Sequence, residues 1–329
     1  MAPSLSSVWT QFFPPKPRFT EKDVGDLSGK VYIVTGGNSG LGKELSRLLY
    51  SKNAKVYLTA RSEEKAKVAI AYIKHAAPTS TGSIVFLPLD LEDLASIKTS
   101  ADRFLAAETR LHVLFNNAGI QGPEGAIERT AQGYEKQLHV NCLGPFLFTQ
   151  FLGPVLSATA QDPATPPNTV RAIFLSSCAA EFFCEQNTGF DMSNLDYHVD
   201  KPSKYRYGIS KLGDWAYAVE MSKRFKGVIG VPINPGNLQT ELFRHQSAIF
   251  RLLTRPFNYP PANGAYAELW GGLSPEVTAE KSGSYVVPFG RFYPIRGDLE
   301  AAVTPESQGG NGTVAKFWEW SEEQVKEYC

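Results

Sequence analysis

Cysteine is scarce in this chain, and neither sign of charge prevails. Only four cysteines occur among 329 residues, at 142, 178, 184 and 329. None has the short spacing of a zinc ligand pair, so no metal is expected. Free thiols in a reducing compartment are the expected state, which points to the cytoplasm. Basic and acidic residues number 33 each, and no block of lysine or arginine stands out. A partner made of nucleic acid is therefore not expected. No apolar run approaches the roughly 18 residues of a bilayer span. The opening MAPSLSSVWTQFFPPKPRFT has neither a basic start nor an apolar core, so it is not read as a secretory signal. Internal repeats and long low-complexity linkers are missing too, which leaves a single domain as the expectation.

The first 26 residues, rich in proline, serine and aromatics, read as an N-terminal arm ahead of a domain spanning 27–329. Val8, Trp9, Phe12 and Phe13 in that arm leave a peripheral membrane contact open. Within the domain, short β-branched runs alternate with helical patterns. VYIV (31–34), KVYLT (55–59), SIVFL (83–87), LHVLF (111–115), AIFLS (172–176) and GVIGVPI (227–233) are the expected strands. Helical stretches lie between them, including one expected to start near Thr130. This rhythm predicts an α/β fold, a doubly wound parallel sheet of the Rossmann type. Ser62 before two glutamates is an N-cap, and Asn53 stands where a left-handed helix terminator is wanted. From 241 onward the pattern weakens. Residues at about 239–265 are expected to form a substrate lid, and those at about 178–204 a flap.

TGGNSGLG (35–42) follows the first strand and opens a helix. Glycines there permit a tight turn and let backbone N–H groups close on a pyrophosphate at the helix N-terminus. An NAD site would carry an acid at the end of the second strand to hold the ribose 2′-hydroxyl. This chain has Ala60 and Arg61 instead, and a guanidinium pairs with a 2′-phosphate. Asp90 after the third strand can reach the adenine edge. Asn116 and Asn117 end the fourth, at the carboxyl edge where such sheets bind ligands.

Two Tyr-x-x-x-Lys pairs occur, Tyr197 with Lys201 and Tyr207 with Lys211; about one is expected by chance. Pro202 pushes Lys201 out of helical geometry, so the first pair does not share a helix face. The second pair continues into YGISKLGDWAYAVEMSKRF and does. An ammonium there favours the phenolate and lowers the tyrosine pKa. The doublet Ser176-Ser177 ends the fifth strand. Pro145 has no N–H for the carbonyl of Asn141, which predicts a kink and a free backbone oxygen beside a polar cleft.

TGGNSGLG, NNAG, NCLG, SS, YGISK and NPGNLQT, in this order over roughly 28–240, resemble the short-chain dehydrogenase/reductase family. The resemblance implies Tyr207 as acid–base, Lys211 on the nicotinamide ribose, Ser177 orienting the substrate carbonyl and Asn141 holding a proton-relay water. Ser177 is chosen because such doublets usually use the second serine. Cofactor contacts would come from Gly36, Asn38, Ser39, Gly40, Leu41, Gly42, Arg61, Asp90, Asn117, Tyr207, Lys211, Leu238 and Thr240. The chain looks most like retinol-dehydrogenase-like members and fungal-type reductases. That implies an NADP(H)-dependent ketone or aldehyde reductase in secondary-metabolite biosynthesis, or alternatively a retinol- or steroid-type alcohol dehydrogenase. A homodimer stays open. A non-catalytic dinucleotide sensor would share the fold but would not need the Tyr-Lys-Ser-Asn set. Phe182, Phe183 and Phe190 in the flap, with Phe243, Phe250, Leu252, Leu253 and Phe257 in the lid, point to an apolar substrate.

These pairings predict that Tyr207→Phe abolishes turnover while NADPH binding, followed by fluorescence, is kept. Tyr197→Phe is expected to be close to silent; activity of Tyr207→Phe within tenfold of the parent would disprove the assignment.

Overall fold

Six short runs dominated by β-branched and aromatic residues become the central strands of one sheet. The computed structural model describes residues 2–239 and 258–329. Strands β1 (Val31–Val34), β2 (Lys55–Ala60), β3 (Ser83–Pro88), β4 (Val113–Asn116), β5 (Arg171–Leu175) and β6 (Ile229–Ile233) pair in parallel in the order 3-2-1-4-5-6. Two further short strands, β7 (Val286–Val287) and β8 (Arg291–Phe292), extend the edge, the last one antiparallel. Every residue of β1, β4 and β6 is buried, as a parallel sheet covered on both faces requires.

The helices cover both faces. Helices α2 (Gly40–Ser51) and α3 (Glu63–Ala76) supply one apolar core, with Leu45, Leu48 and Ile73 packed behind Val34 and Leu58. Helix α4 (Leu94–Ala107), with later helices, supplies the other through Ile97 and Phe104. Strand order reverses between β1 and β4, and this switch point opens a crevice at the carboxyl ends of the strands.

The local signals behave as the chemistry demands. Asn53 ends α2 with φ of 71°, and the Ser62 hydroxyl accepts the Lys65 N–H to cap α3. The helix expected near Thr130 starts later, as α5 (Lys136–Leu138). Residues 129–135 instead turn back on themselves: Thr130 N–H donates to the Tyr134 carbonyl, and Gly133 closes the turn with φ of 86°. The Glu135 carboxylate then accepts the Leu138 N–H, which caps α5.

Between α5 and α6 (Gly144–Gln161) lies one π turn, His139–Leu143. The expected kink at Pro145 thus takes the form of a widened turn around Asn141. The helix from Lys136 to Gln161 is long and apolar enough to cross a membrane, but 72% of its apolar window is buried inside the protein. It is a core helix, with Phe146, Leu147 and Phe148 against the sheet.

The weak pattern after 241 has a physical origin where the structure describes it. Helix α9 (Pro261–Leu273) packs through Gly264, Gly271 and Gly272 against Leu238, Ile233 and Phe115, so its buried face carries few large apolar residues. It takes up the end of the expected lid; 240–257 lie outside the described residues. Helices α10 (Gly297–Val303) and α11 (Thr313–Val325) close the chain. Phe190, expected in the substrate flap, is a core residue stacked on Phe317 of α11 with ring centroids 4.3 Å apart.

A glycine in β6 sets how close the sheet comes to the helix above it, α8 (Ser203–Arg224). A Cβ on Gly230 would lie 1.9 Å from the Ala218 carbonyl oxygen. Gly230→Ala should therefore cost about 3 kcal/mol of stability, the upper end of ordinary overpacking penalties, read as a lowered midpoint in urea.

Candidate active site

The crevice at the switch point widens into a cleft of about 1450 Å³ along the carboxyl ends of the strands. One hydroxyl ties its floor together. Thr35 Oγ1, just beyond β1, donates to the Phe115 carbonyl and accepts the N–H groups of Asn117 and Ala118. Asn117 returns the tie, its Nδ2 donating to the Thr35 carbonyl at 2.6 Å. Asn116 points elsewhere, to Thr149 of α6, so of the two asparagines only Asn117 lines the cleft.

The glycine loop fits a dinucleotide by exclusion of side chains. Gly36 and Gly40 have φ of 64° and 50°, conformations that L side chains resist. A Cβ on Gly42 would lie 2.5 Å from the Asn117 amide and 2.7 Å from the Gly36 carbonyl oxygen. The backbone therefore lies close to the cleft, with the first N–H groups of α2 facing an anion site. Ser39 precedes α2 with its hydroxyl making no capping bond, which leaves that hydroxyl for a phosphate. Asn38, Ser39, Gly40, Leu41 and Leu238 all line the cleft. Thr240 lies outside the described residues.

At the far end stand Arg61 and Asp90. The Arg61 side chain is 63% exposed and pairs with Glu92 at 3.3 Å. Exposed pairs of this kind contribute little, so the guanidinium can be drawn to a stronger anion. Lys43 and Lys65 line the same end, and Lys43 lies 4.5 Å from the Tyr72 ring centroid. Neither lysine was distinguishable from a solvated helix charge in the sequence. Asp90 spends one carboxylate oxygen on the Glu92 N–H and faces the cleft between Leu89 and Leu91.

The middle of the cleft gathers three of the four residues expected to do chemistry, Ser177, Tyr207 and Lys211, with Asn141 buried outside its lining. Ser176 is buried, and its hydroxyl donates to the Lys211 carbonyl at 2.7 Å, stitching β5 to α8. Ser177 lines the cleft and accepts the Ala179 N–H at 3.2 Å, and its hydroxyl lies near enough to Tyr207 to favour the phenolate. Both serines line the cleft, but the Ser176 hydroxyl is spent on the Lys211 carbonyl and that of Ser177 is not. Tyr207 and Lys211 share one face of α8, with the ammonium 5.9 Å from the ring centroid. Tyr197, by contrast, has φ of 53°, is buried away from the cleft, and its hydroxyl has no hydrogen-bond partner.

The expected lowering of the Tyr207 pKa needs correction. Burial raises it, Lys211 lowers it, and burial wins, so the phenol titrates above its ordinary value. The Lys211 ammonium donates to the Leu175 carbonyl at 2.8 Å and to Asp214 at 2.9 Å. Burial pulls its pKa down, but Asp214 and Tyr207 together outweigh this and the net direction is up.

Asn141 is fully engaged through its side chain. Nδ2 donates to the Ile120 carbonyl and to Ser210 Oγ, and Oδ1 accepts the Ile120 N–H. It clamps the loop after β4 to α8. In the backbone, Pro145 offers the Asn141 carbonyl no donor.

The N-terminal arm belongs to this site. Helix α1 (Leu5–Phe12) is joined to the fold through buried Gln11. Gln11 Nε2 donates to Glu181 at 2.7 Å, and its carbonyl oxygen accepts from Asn234 at 2.8 Å. Phe12 lines the cleft and meets Phe182 edge-on at 6.1 Å, whereas Trp9 remains 66% exposed. Cys178 and Phe183 of the expected flap also line the cleft. Sequence periodicity marked α1 only as aromatic; the amide at Gln11 was the available signal. Phe243, Phe250, Leu252, Leu253 and Phe257 lie outside the described residues.

Comparison with known proteins gives the same picture. Residues 30–165 match the family model described as short chain dehydrogenase. The short-chain dehydrogenase/reductase bet4 of Neocamarosporium betae is 49% identical over 98% of this chain and 94% of its own. A short-chain dehydrogenase/reductase of Phomopsis amygdali is 51% identical, covering 99% and 98%. Among solved structures, the Pseudomonas aeruginosa RhlG/NADP active-site complex superposes with a TM-score of 0.63 at 22% identity, covering 81% of this chain and 97% of that one.

The two serines give a clean test. Ser177→Ala should lower kcat about 100-fold, the usual effect of losing one donor to a developing oxyanion, with an unchanged urea midpoint. Ser176→Ala should cost about 1 kcal/mol of stability and leave a far smaller kinetic effect; the reverse pattern would exchange their roles.

Proposed function

The chain belongs to the short-chain dehydrogenase/reductase family, and from that premise we propose that it is an NADP(H)-dependent reductase of apolar ketones or aldehydes. The observation that carries the reading is the convergence of Ser177, Tyr207 and Lys211 in one cleft whose far end holds Arg61, Lys43 and Lys65. NADPH, when bound, supplies the hydride. Tyr207 gives its phenolic proton to the substrate oxygen as the carbonyl carbon is reduced, which leaves an alcohol. Ser177 donates to the same oxygen and orients it. The Lys211 ammonium steadies the phenolate, and a water on the Asn141 carbonyl would return the proton to Tyr207 through it.

Three features support the details. Tyr207 held protonated by burial suits the reductive direction, where it serves as an acid. The basic cluster at the far end suits a 2′-phosphate. Phe12, Phe183 and Cys178 give the cleft an apolar wall, which suits a substrate with little polar surface. The gap between Glu181 and Asn234 is bridged by Gln11, so α1 helps to hold that wall in place.

Oxidation of NADPH by the full chain, followed optically across a panel of apolar ketones, aldehydes and quinones, tests the activity. NADPH is expected to bind much more tightly than NADH. Arg61→Ala should weaken NADPH binding roughly ten- to a hundredfold, the range for one charge-assisted contact, and leave NADH little changed. Equal affinities for both cofactors in the parent would show the 2′-phosphate assignment to be wrong.

A further inference from the structure

Three side chains lie on one face of α8 at successive turns: Tyr207, Lys211 and Asp214. The first two are accounted for above. Asp214 is not a feature of the motifs read in the sequence, and its side chain is only 3% exposed, against 5% for Lys211. A carboxylate so deep in the fold needs a reason, because burying a charge is costly unless it is paired.

The reason lies in how the ammonium divides its three N–H groups. One goes to the Leu175 carbonyl at 2.8 Å and one to Asp214 Oδ2 at 2.9 Å. Leu175 ends β5 and Asp214 sits one turn along the helix, so both acceptors are rigid. Lys211 lines the cleft, and Gly119 leaves room beside it: a Cβ there would lie 3.2 Å from Nζ. With two protons fixed, the third has one direction left, toward the cleft.

We infer that Asp214 is a positioning residue of the acid–base site: its carboxylate aims the Lys211 ammonium and offsets part of the positive charge felt at Tyr207. The titratable groups acting on this trio are Tyr207 and Tyr217 on the same helix, Cys142 from the π turn and Cys178 after β5. Burial pushes both thiols up, to about 11 for Cys178, so they are neutral at physiological pH. Asp214 is then the one carboxylate among those described groups. Burial raises its own pKa to about 7, well below the range in which Tyr207 titrates, so its charge is present when the phenol ionises. There it works against Lys211: the lysine favours the phenolate and the carboxylate disfavours it. Burial is the larger cause of the raised Tyr207 pKa, and Asp214 adds to it, so the phenol keeps its proton until the substrate oxygen calls for it. The kinetic meaning of this arrangement rests on the reductase reading above; the ionisation of Tyr207 does not.

The test separates charge from shape. The full chain, free of cofactor, is labelled at tyrosine Cζ, and Tyr207 is assigned by the signal missing in Tyr207→Phe. Its titration is then followed by NMR in the parent, Asp214→Asn and Asp214→Glu. Asparagine keeps the shape without the charge; glutamate keeps the charge in a longer side chain. Asp214→Asn should lower the Tyr207 midpoint, by less than the shift of about one pH unit or more that a directly adjacent charge gives, and Asp214→Glu should stay near the parent. With phenanthrenequinone and NADPH, the alkaline limb of kcat should move down in the asparagine variant by a similar amount. A Tyr207 midpoint unmoved in Asp214→Asn would overturn the inference, and so would a glutamate variant that shifts as far as asparagine. If the asparagine variant does not fold, Asp214→Ser is titrated by the same criteria. A parent that neither binds NADPH nor reduces any carbonyl would count against the reductase reading, while the titration would still decide the role of Asp214.

Discussion

The Lys211 ammonium donates to the end of one strand and to a carboxylate on its own helix, almost wholly out of water. Much of the surrounding structure is arranged so that this is tolerable. A buried ammonium without acceptors would cost several kcal/mol, so β5 must end beside α8 with Leu175 facing the lysine. The Ser176 hydroxyl holds that approach by bonding the Lys211 carbonyl. On the opposite side, Asn141 Nδ2 and Cys142 Sγ both donate to Ser210, which fixes the π turn against the same stretch of helix. Moving any one of these elements would leave a charged group short of a partner.

The two ends of the cleft use different physics. At the catalytic end the groups are buried, interactions are strong, and small changes of charge alter a proton's position. At the far end, Arg61 is exposed, its partner Glu92 is half-buried, and the contact is weak. Such a site can exchange one anion for another without rebuilding the fold, which is what recognition of a diffusible cofactor requires. Helix α1 adds a third kind of control. It is held by the Gln11 amide between Glu181 and Asn234 and by Arg291 on Thr10, and it places Phe12 in the wall of the cleft.

Much of the cofactor half was legible in the residues. The glycine loop could be placed because steric exclusion at Gly36, Gly40 and Gly42 leaves a fixed spacing, and β-branched runs marked β1 to β6 within a few residues. Tyr207 and Lys211 could be separated from Tyr197 and Lys201 by the position of one proline. The start of α5 was misplaced because the turn at 129–135 depends on an antiparallel bridge between Arg129 and Glu135, a contact with no periodic signature. Helix α9 was hidden because glycines and alanines share its buried face with Leu269 and Trp270, which blurs the apolar period.

By itself the sequence determined what depends on local geometry: strand and helix order, the glycine-lined turn, and the helical spacing that stacks Tyr207 on Lys211. The tertiary structure alone decided what depends on solvent and on distant neighbours. It decided that burial outweighs Lys211 at Tyr207, because desolvation is a property of everything packed around a group. It decided that the Ser176 hydroxyl is spent on the Lys211 carbonyl while that of Ser177 is left toward Tyr207, because two adjacent hydroxyls differ only in what lies across from them. It also made Gln11 and Phe12 part of the site, since residues more than 200 positions away in the chain, Asn234 among them, become their neighbours only when the sheet has formed.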